Sequence, residues 1–196
     1  MSAPTPLPAS RFELQPLGLA GLVAVRRQRL ADARGALSRL FCAEELAAAG
    51  WPGPVAQVNH TVTTRRGTVR GLHFQRPPHA EAKLVSCLRG AVWDVAVDLR
   101  RHSPTFLQHR AVELSPDNLT ALLIPPGFAH GFQALTDDAE LLYLHSAAYA
   151  PGHEAGLHPQ DPALGLDWPL QVLHLSDRDR SHPRVEPSRF EGVALP

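Results

Sequence analysis

Beyond Val55 the chain falls into short extended runs separated by turn residues. The runs are Val55 to Val62, Thr68 to Gln75, Ala82 to Leu88, Ala91 to Leu99, Phe106 to Leu114, Thr120 to Ile124, Gly131 to Leu135 and Ala139 to Ser146. Near-regular spacing of this kind predicts a β-sandwich or barrel. Ala91 to Leu99 alternates most cleanly, with Trp93, Val95, Val97 and Leu99 on one face and Asp94 and Asp98 on the other. The Arg89-Gly90 pair before it predicts a hairpin.

Upstream, residues 1 to 10 read as a frayed terminus, and Leu14 to Val25 as a Gly-punctuated strand or strand pair. Asp32 to Gly35 (D-A-R-G) is a polar turn. The stretch C-A-E-E-L-A-A-A-G, ending at Gly50, predicts a helix of two turns, because Ala, Leu and Glu favour helix and Gly stops it. No other segment predicts a helix. Past Ala150 the periodicity dissolves, and the tail is expected to pack back irregularly through Trp168. At 196 residues the chain is expected to form a single domain, 1–196, with enough core to need no disulfide.

Charge is balanced at 19 basic against 19 acidic residues, so nothing points to a nucleic-acid or anionic-membrane surface; a small-molecule partner is expected. Cys42 and Cys87 are too few for a disulfide framework and lack metal-ligand spacing, which fits a reducing cytoplasm. The longest apolar run, Leu17 to Val25, is too short to span a bilayer, and no basic leader region precedes it. The 19 prolines, about twice average usage, reinforce the reading of strands and turns.

Candidate chemistry concentrates between Arg65 and Lys83. Lys83 is the only lysine among the 19 basic residues, and a buried lysine can present a compact ammonium to a developing oxyanion. Strict alternation from Thr68 to Gln75 separates Arg70 from His73, so the two can serve one pocket only if a bulge or barrel curvature re-aims one. Pro125 to His130 fits P-x-G-x-x-H, which resembles the second motif of cupin barrels. A cupin metal site would need about three protein ligands, yet the stretch matching the first motif is H-F-Q, and no bound metal is expected. His73 as base, Lys83 as cation, Tyr143 as weak acid, and Asp161, Asp177 or Asp179 to orient the imidazole form a set suited to proton transfer beside a carbonyl. Alternation puts Tyr143 on a face with Leu141 and His145.

Taken in order, D-A-R-G (32–35), Q-V-N-H (57–60), G-T-V-R-G-L-H-F-Q (67–75), K-L-V (83–85), R-G-A-V-W-D-V-A-V-D-L-R (89–100), S-P-T-F, E-L-S, I-P-P-G-F-A-H-G-F, A-E-L-L-Y, Y-A-P, D-P-A-L-G-L-D-W-P-L and L-S-D-R-D resemble the dTDP-4-dehydrorhamnose 3,5-epimerases of nucleotide-sugar biosynthesis. The resemblance implies an all-β, cupin-like jelly-roll barrel, with the short N-terminal helix and irregular C-terminal tail added to it. It further implies a homodimer that needs neither metal nor cofactor and takes a nucleotide-sugar substrate.

By motif position, His73 would be the base, oriented by Asp179. Tyr143 would be the acid on the opposite face of the sugar, and Lys83 would hold the enolate oxygen. Arg70, Gln57, Asn59 and His130 would line the sugar and diphosphate site; Arg34 would reach the nucleotide across a dimer interface, and Tyr149 would contact it. Departures fall at the nucleotide end, at Ala36, Arg39 and Ala148, which leaves dTDP and CDP sugars both open. Inversion at one carbon or at two also stays open, as do a metal-dependent cupin oxygenase and a non-catalytic sugar-binding jelly roll.

Overall fold

The computed structural model describes residues 10–186 and 189–195. The terminus expected to fray thus lies outside the described residues except for Ser10. Each of the eight expected runs carries a strand: β5 (Gln57–Thr63), β6 (Val69–Gln75), β7 (Lys83–Arg89), β8 (Val92–Asp98), β9 (His109–Leu114), β10 (Thr120–Ile124), β11 (Phe128–Ala134) and β12 (Ala139–His145). Upstream, β1 (Phe12–Pro16) and β2 (Val23–Arg27) form the expected strand pair. The D-A-R-G turn joins β3 (Arg29–Asp32) to β4 (Gly35–Ser38) in a separate hairpin. The expected helix is present as α1 (Ala43–Ala47), shorter than two full turns.

Two antiparallel sheets pack face to face, as in a jelly roll. One runs β1-β2-β10-β7-β12-β5; the other runs β6-β11-β8-β9, with β13 (Glu154–Gly156) added beside β6. The sheets do not close into one continuous barrel. Leu122, Ile124, Val85 and Leu141 of the first sheet meet Val92, Ala96, Phe128 and Phe132 of the second. The outer faces are buried as well. Leu46 of α1 and Trp51 cover Val25, Leu84 and Leu123, while Leu157, Leu164, Trp168 and Val185 of the tail cover Val95, Val97 and Ala129. Burial on both faces explains why β7 and β11 read as nearly continuous buried runs.

Two expectations are corrected. Arg89-Gly90 joins no hairpin, since β7 pairs with β10 and β12 whereas β8 pairs with β9 and β11, so this turn carries the chain from one sheet to the other. The tail is not wholly irregular. It contributes β13, a 3₁₀ turn at Pro162–Leu164 capped by Asp161, and a second helix, α2 (Asp177–Ser181), whose Asp179 amide donates to the Ser176 hydroxyl. The alternation expected of β8 is present, and the packing gives it a direction: the Trp93/Val95/Val97 face points outward under the tail, and Asp94 lies on the face directed at the opposite sheet.

The S-P-T-F motif acts through Asp98 at the end of β8. Its carboxylate accepts from the Ser103 and Thr105 hydroxyls at 2.6 and 2.7 Å and from Arg100 Nη2 at 2.7 Å. Burial alone would raise this carboxyl, but these hydrogen bonds take it from its ordinary 3.8 down to about 2. A depressed carboxylate stabilises the fold above its unfolded value and loses that stabilisation as pH falls from about 4 towards 2. Thermal unfolding from pH 5 to 2 should therefore show a steep fall in midpoint for the native chain and a flatter one for Asp98→Asn. Parallel curves would remove Asp98 from this role.

Candidate active site

Followed along their length, the inward-facing positions change from apolar to polar. On β7 Val85 and Cys87 sit in the core, and Lys83 comes two residues earlier. On β12 Leu141 is in the core, followed by Tyr143 and His145. The polar ends of both sheets surround an open cavity of about 800 Å³, into which α2 brings Asp179. Nine of the ten expected site residues line it: His73, Tyr143, Lys83, Asp179, Arg70, Gln57, Asn59, His130 and Tyr149. Arg34 does not. It sits 89% exposed at the tip of the β3–β4 hairpin, paired with Asp32 at 2.7 Å. Of the other carboxylates considered for the imidazole, Asp161 holds the Ala163 and Val185 amides in the tail and Asp177 is exposed.

Arg70 and His73 share this cavity because β6 bulges. Opposite β11, His73 pairs with His130 but Arg70 pairs with Phe132, so three steps on one strand oppose two on the other. The bulge turns both side chains inward and frees the Gly71 amide, which donates to Asp179 Oδ2 at 3.3 Å. The other oxygen of Asp179 meets His73 Nε2 at 2.7 Å. Burial would raise the Asp179 carboxyl, yet the hydrogen bond and charge of His73 and the Gly71 amide hold it below the usual range. His73 is thus an imidazole with 31% of its side chain exposed, backed by a buried, ionised carboxylate.

Across the cavity, on the other sheet, burial pushes the Tyr143 phenol well above its ordinary 10, so it remains protonated at neutral pH. Its ring stacks against His145 and meets His130 edge-on. His145 is lowered to about 4, first by burial and then by the charges of Lys83 and His130, so it stays neutral and can both donate and accept. Lys83 Nζ reaches Glu81 at 3.1 Å and the His73 carbonyl at 3.4 Å.

Sequence reasoning missed Asp94, Glu81, Arg178 and Glu154. Asp94 is fully buried and contacts His130 Nε2 at 2.9 Å; burial raises its carboxyl, and the charges of His130 and Lys83 oppose that. Its signal was its place on the same face of β8 as buried Ala96, together with a histidine elsewhere on an inward face. Arg178 and Glu154 pair at the cavity mouth, where the Tyr149 hydroxyl donates to Glu154 at 2.7 Å and the Tyr149 amide donates to Gln57 Oε1 at 2.9 Å. Gln75, which occupies a ligand position of the cupin motif, instead ties the His79 and Ala148 carbonyls and the Ala150 amide together.

In chemical terms the cavity sets a carboxylate-backed imidazole on one sheet against a protonated phenol on the other, with an ammonium beside them. That arrangement can take a proton from one face of a carbon next to a carbonyl, hold the oxyanion, and return a proton to the other face.

A family model described as dTDP-4-dehydrorhamnose 3,5-epimerase matches residues 16–186. A dTDP-4-dehydrorhamnose 3,5-epimerase of Streptomyces griseus is 43% identical over 182 residues, 92% of this chain and 90% of that one. Among solved structures, NovW, a 4-keto-6-deoxy sugar epimerase from the novobiocin biosynthetic gene cluster of Streptomyces spheroides, superposes with a TM-score of 0.84 at 40% identity, covering 93% of this chain and 92% of that one. ChmJ, a 3'-monoepimerase from Streptomyces bikiniensis in complex with dTDP-quinovose, superposes with a TM-score of 0.81 at 40% identity over 87% and 86% of the two chains. Family match, fold and cavity agree, and the chain belongs to the dTDP-4-dehydrorhamnose 3,5-epimerase family of isomerases.

Proposed function

We propose that this chain epimerises a dTDP-linked 4-keto-6-deoxyhexose at carbons 3 and 5. His73 removes the proton next to the 4-keto group, Asp179 positions it, Lys83 holds the enolate oxygen, and Tyr143 returns a proton from the opposite face. Arg70, Gln57, Asn59 and His130 bind the sugar and diphosphate, with Tyr149 at the nucleotide end. The observation that carries this reading is the placement of His73 and Tyr143 on opposing sheets across one cavity. Removal from one side and return from the other inverts a carbon without any hydride or electron acceptor.

In the same reading the protein is a cytoplasmic, single-domain homodimer. No helix among the described residues is long and apolar enough to cross a membrane. The β3–β4 hairpin exposes Leu37 at 70% and Leu30 at 43%, an apolar pair that a second copy would cover while receiving Arg34 at its nucleotide end.

One observation supports a second reading, inversion at carbon 3 alone. A dTDP-4-dehydro-6-deoxyglucose 3-epimerase of Streptomyces bikiniensis is 40% identical over 92% of this chain, nearly as similar as the 3,5-epimerase. Proton NMR of dTDP-4-keto-6-deoxyglucose with the protein in heavy water separates the two. Deuterium entering at carbons 3 and 5 is the expected result, entry at carbon 3 alone selects the second reading, and no entry rejects this substrate and moves the test to CDP-linked sugars.

A further inference from the structure

Behind the base lies an imidazole that the reaction does not use. The ring of His182, just past α2, packs edge-on against His73 with centroids 5.6 Å apart. Its Nε2 is buried, has no hydrogen-bond partner among the described residues, and lies 3.8 Å from Asp179 Oδ1. The ring fits there because residue 156, opposite His73 on β13, is glycine: a Cβ at that position would come within 2.5 Å of His182 Cδ2 and Cε1.

Two imidazoles and one carboxylate thus present ligand atoms that all lie within 4.8 Å of one another. A tetrahedral zinc ion with bonds of about 2.0–2.1 Å separates its ligands by about 3.3 Å. The observed 2.7 Å between His73 and Asp179 and 3.8 Å between His182 and Asp179 straddle that spacing, and with every ligand atom within 4.8 Å of the others the two imidazoles must be drawn together to complete it. Two nitrogens and one carboxylate oxygen suit borderline divalent transition ions rather than calcium or magnesium, which prefer all-oxygen sites. Nearby, the Arg178 charge is already paired with Glu154 and does not stand alone against a cation. Of the cupin-motif positions this ligand set uses only His73, the histidine of H-F-Q; Asp179 and His182 come from the tail and stand in for the second motif's His130.

We propose that His73, Asp179 and His182 form a capture site for a zinc-class divalent cation, and that the captured ion silences the base. The ion takes the Nε2 lone pair of the neutral His73 ring, so the ring's one proton shifts by way of solvent to Nδ1 and neither nitrogen keeps a lone pair for the substrate proton. With Nε2 held by metal and the carboxylate turned to the ion, the imidazole loses the partner that supports its protonated form. The silencing rests on the role proposed for His73; the binding does not.

The test titrates chelator-treated protein with zinc chloride by calorimetry and with cobalt(II) by visible absorption. One ion per chain is expected, with intense tetrahedral cobalt bands. His182→Ala should weaken zinc at least about 10- to 100-fold, the loss typical even of residues that only support a ligand, whereas His109→Ala, on β9, should leave affinity unchanged. His182→Asn serves as the second variant, and thermal unfolding checks that both fold. Equal zinc affinity in native chain and both variants would overturn the site. Deuterium exchange into substrate, each protein compared with its own zinc-free rate, should be blocked by zinc in the native chain and spared in His182→Ala. Binding that depends on His182 but leaves exchange untouched would overturn the silencing and count against His73 as base.

Discussion

His73→Ala is expected to stop solvent deuterium from entering either carbon of the sugar, while Tyr143→Phe leaves exchange running and slows inversion. A positioned acid or base contributes about 10² to 10⁴-fold, which corresponds to about 3–5 kcal/mol of barrier. The two variants divide because, in the proposed mechanism, the two groups act at different moments. Without the imidazole no enolate forms, and every later event stops with it. Without the phenol the enolate still forms, held by Lys83, and His73 can return deuterium to the face it came from, giving exchange without inversion. Neither change should unfold the protein, since the His73 side chain is 31% exposed and Tyr143→Phe keeps the ring against His130 and His145. The measurement is proton NMR in heavy water with product configuration read alongside. Equal loss of exchange in both variants would refute this division and make Tyr143 part of proton removal.

Strand positions were legible because each run alternates or stays apolar between turn residues, and those local signals need no partner. Connections between strands were not. A Gly turn between two extended runs looks the same whether the runs pair or part, and Gly90, with φ +72 and packed against Thr136 and Ala139, serves a crossing between sheets. Helix α2 escaped notice because D-R-D-R-S has no apolar period; only Ser176, three residues before Asp179, marked a cap. Alternation on β8 was read correctly but was silent about direction, because a strand covered on both faces has no solvent side. Asp94 therefore went unrecognised as a partner of His130. At the site, the residue types of the motifs identified most of the cavity lining, whereas the geometry that unites Arg70 with His73 required an irregularity that a period of two cannot express.

That irregularity makes Gly71 the position where fold and chemistry are most tightly joined. Gly71 has φ +124, a region that residues with a Cβ rarely adopt. A Cβ built there would lie 2.6 Å from Gly131 Cα and 2.8 Å from the His130 carbonyl oxygen, both backbone atoms of a strand that cannot step aside without breaking its pairing with β8. Overpacking costs about 1–3 kcal/mol and a disfavoured backbone conformation about 1–3 kcal/mol. Gly71→Ala is thus expected to cost roughly 2–6 kcal/mol, a large share of the stability of a typical domain. For a chain of this size that is a fall in thermal midpoint of about 4–24 °C. Activity should fall further than stability, because the same bulge sets the register between His73 and His130 and offers the Gly71 amide to Asp179. Gly50→Ala separates the two contributions: Gly50 has φ +94 with nothing within 4 Å of its would-be Cβ, so it pays the conformational cost without the clash. Thermal unfolding and deuterium exchange on both variants check the argument. If Gly71→Ala melts no lower than Gly50→Ala and still exchanges deuterium, β6 can relax around a side chain, and the bulge does not hold the base in place.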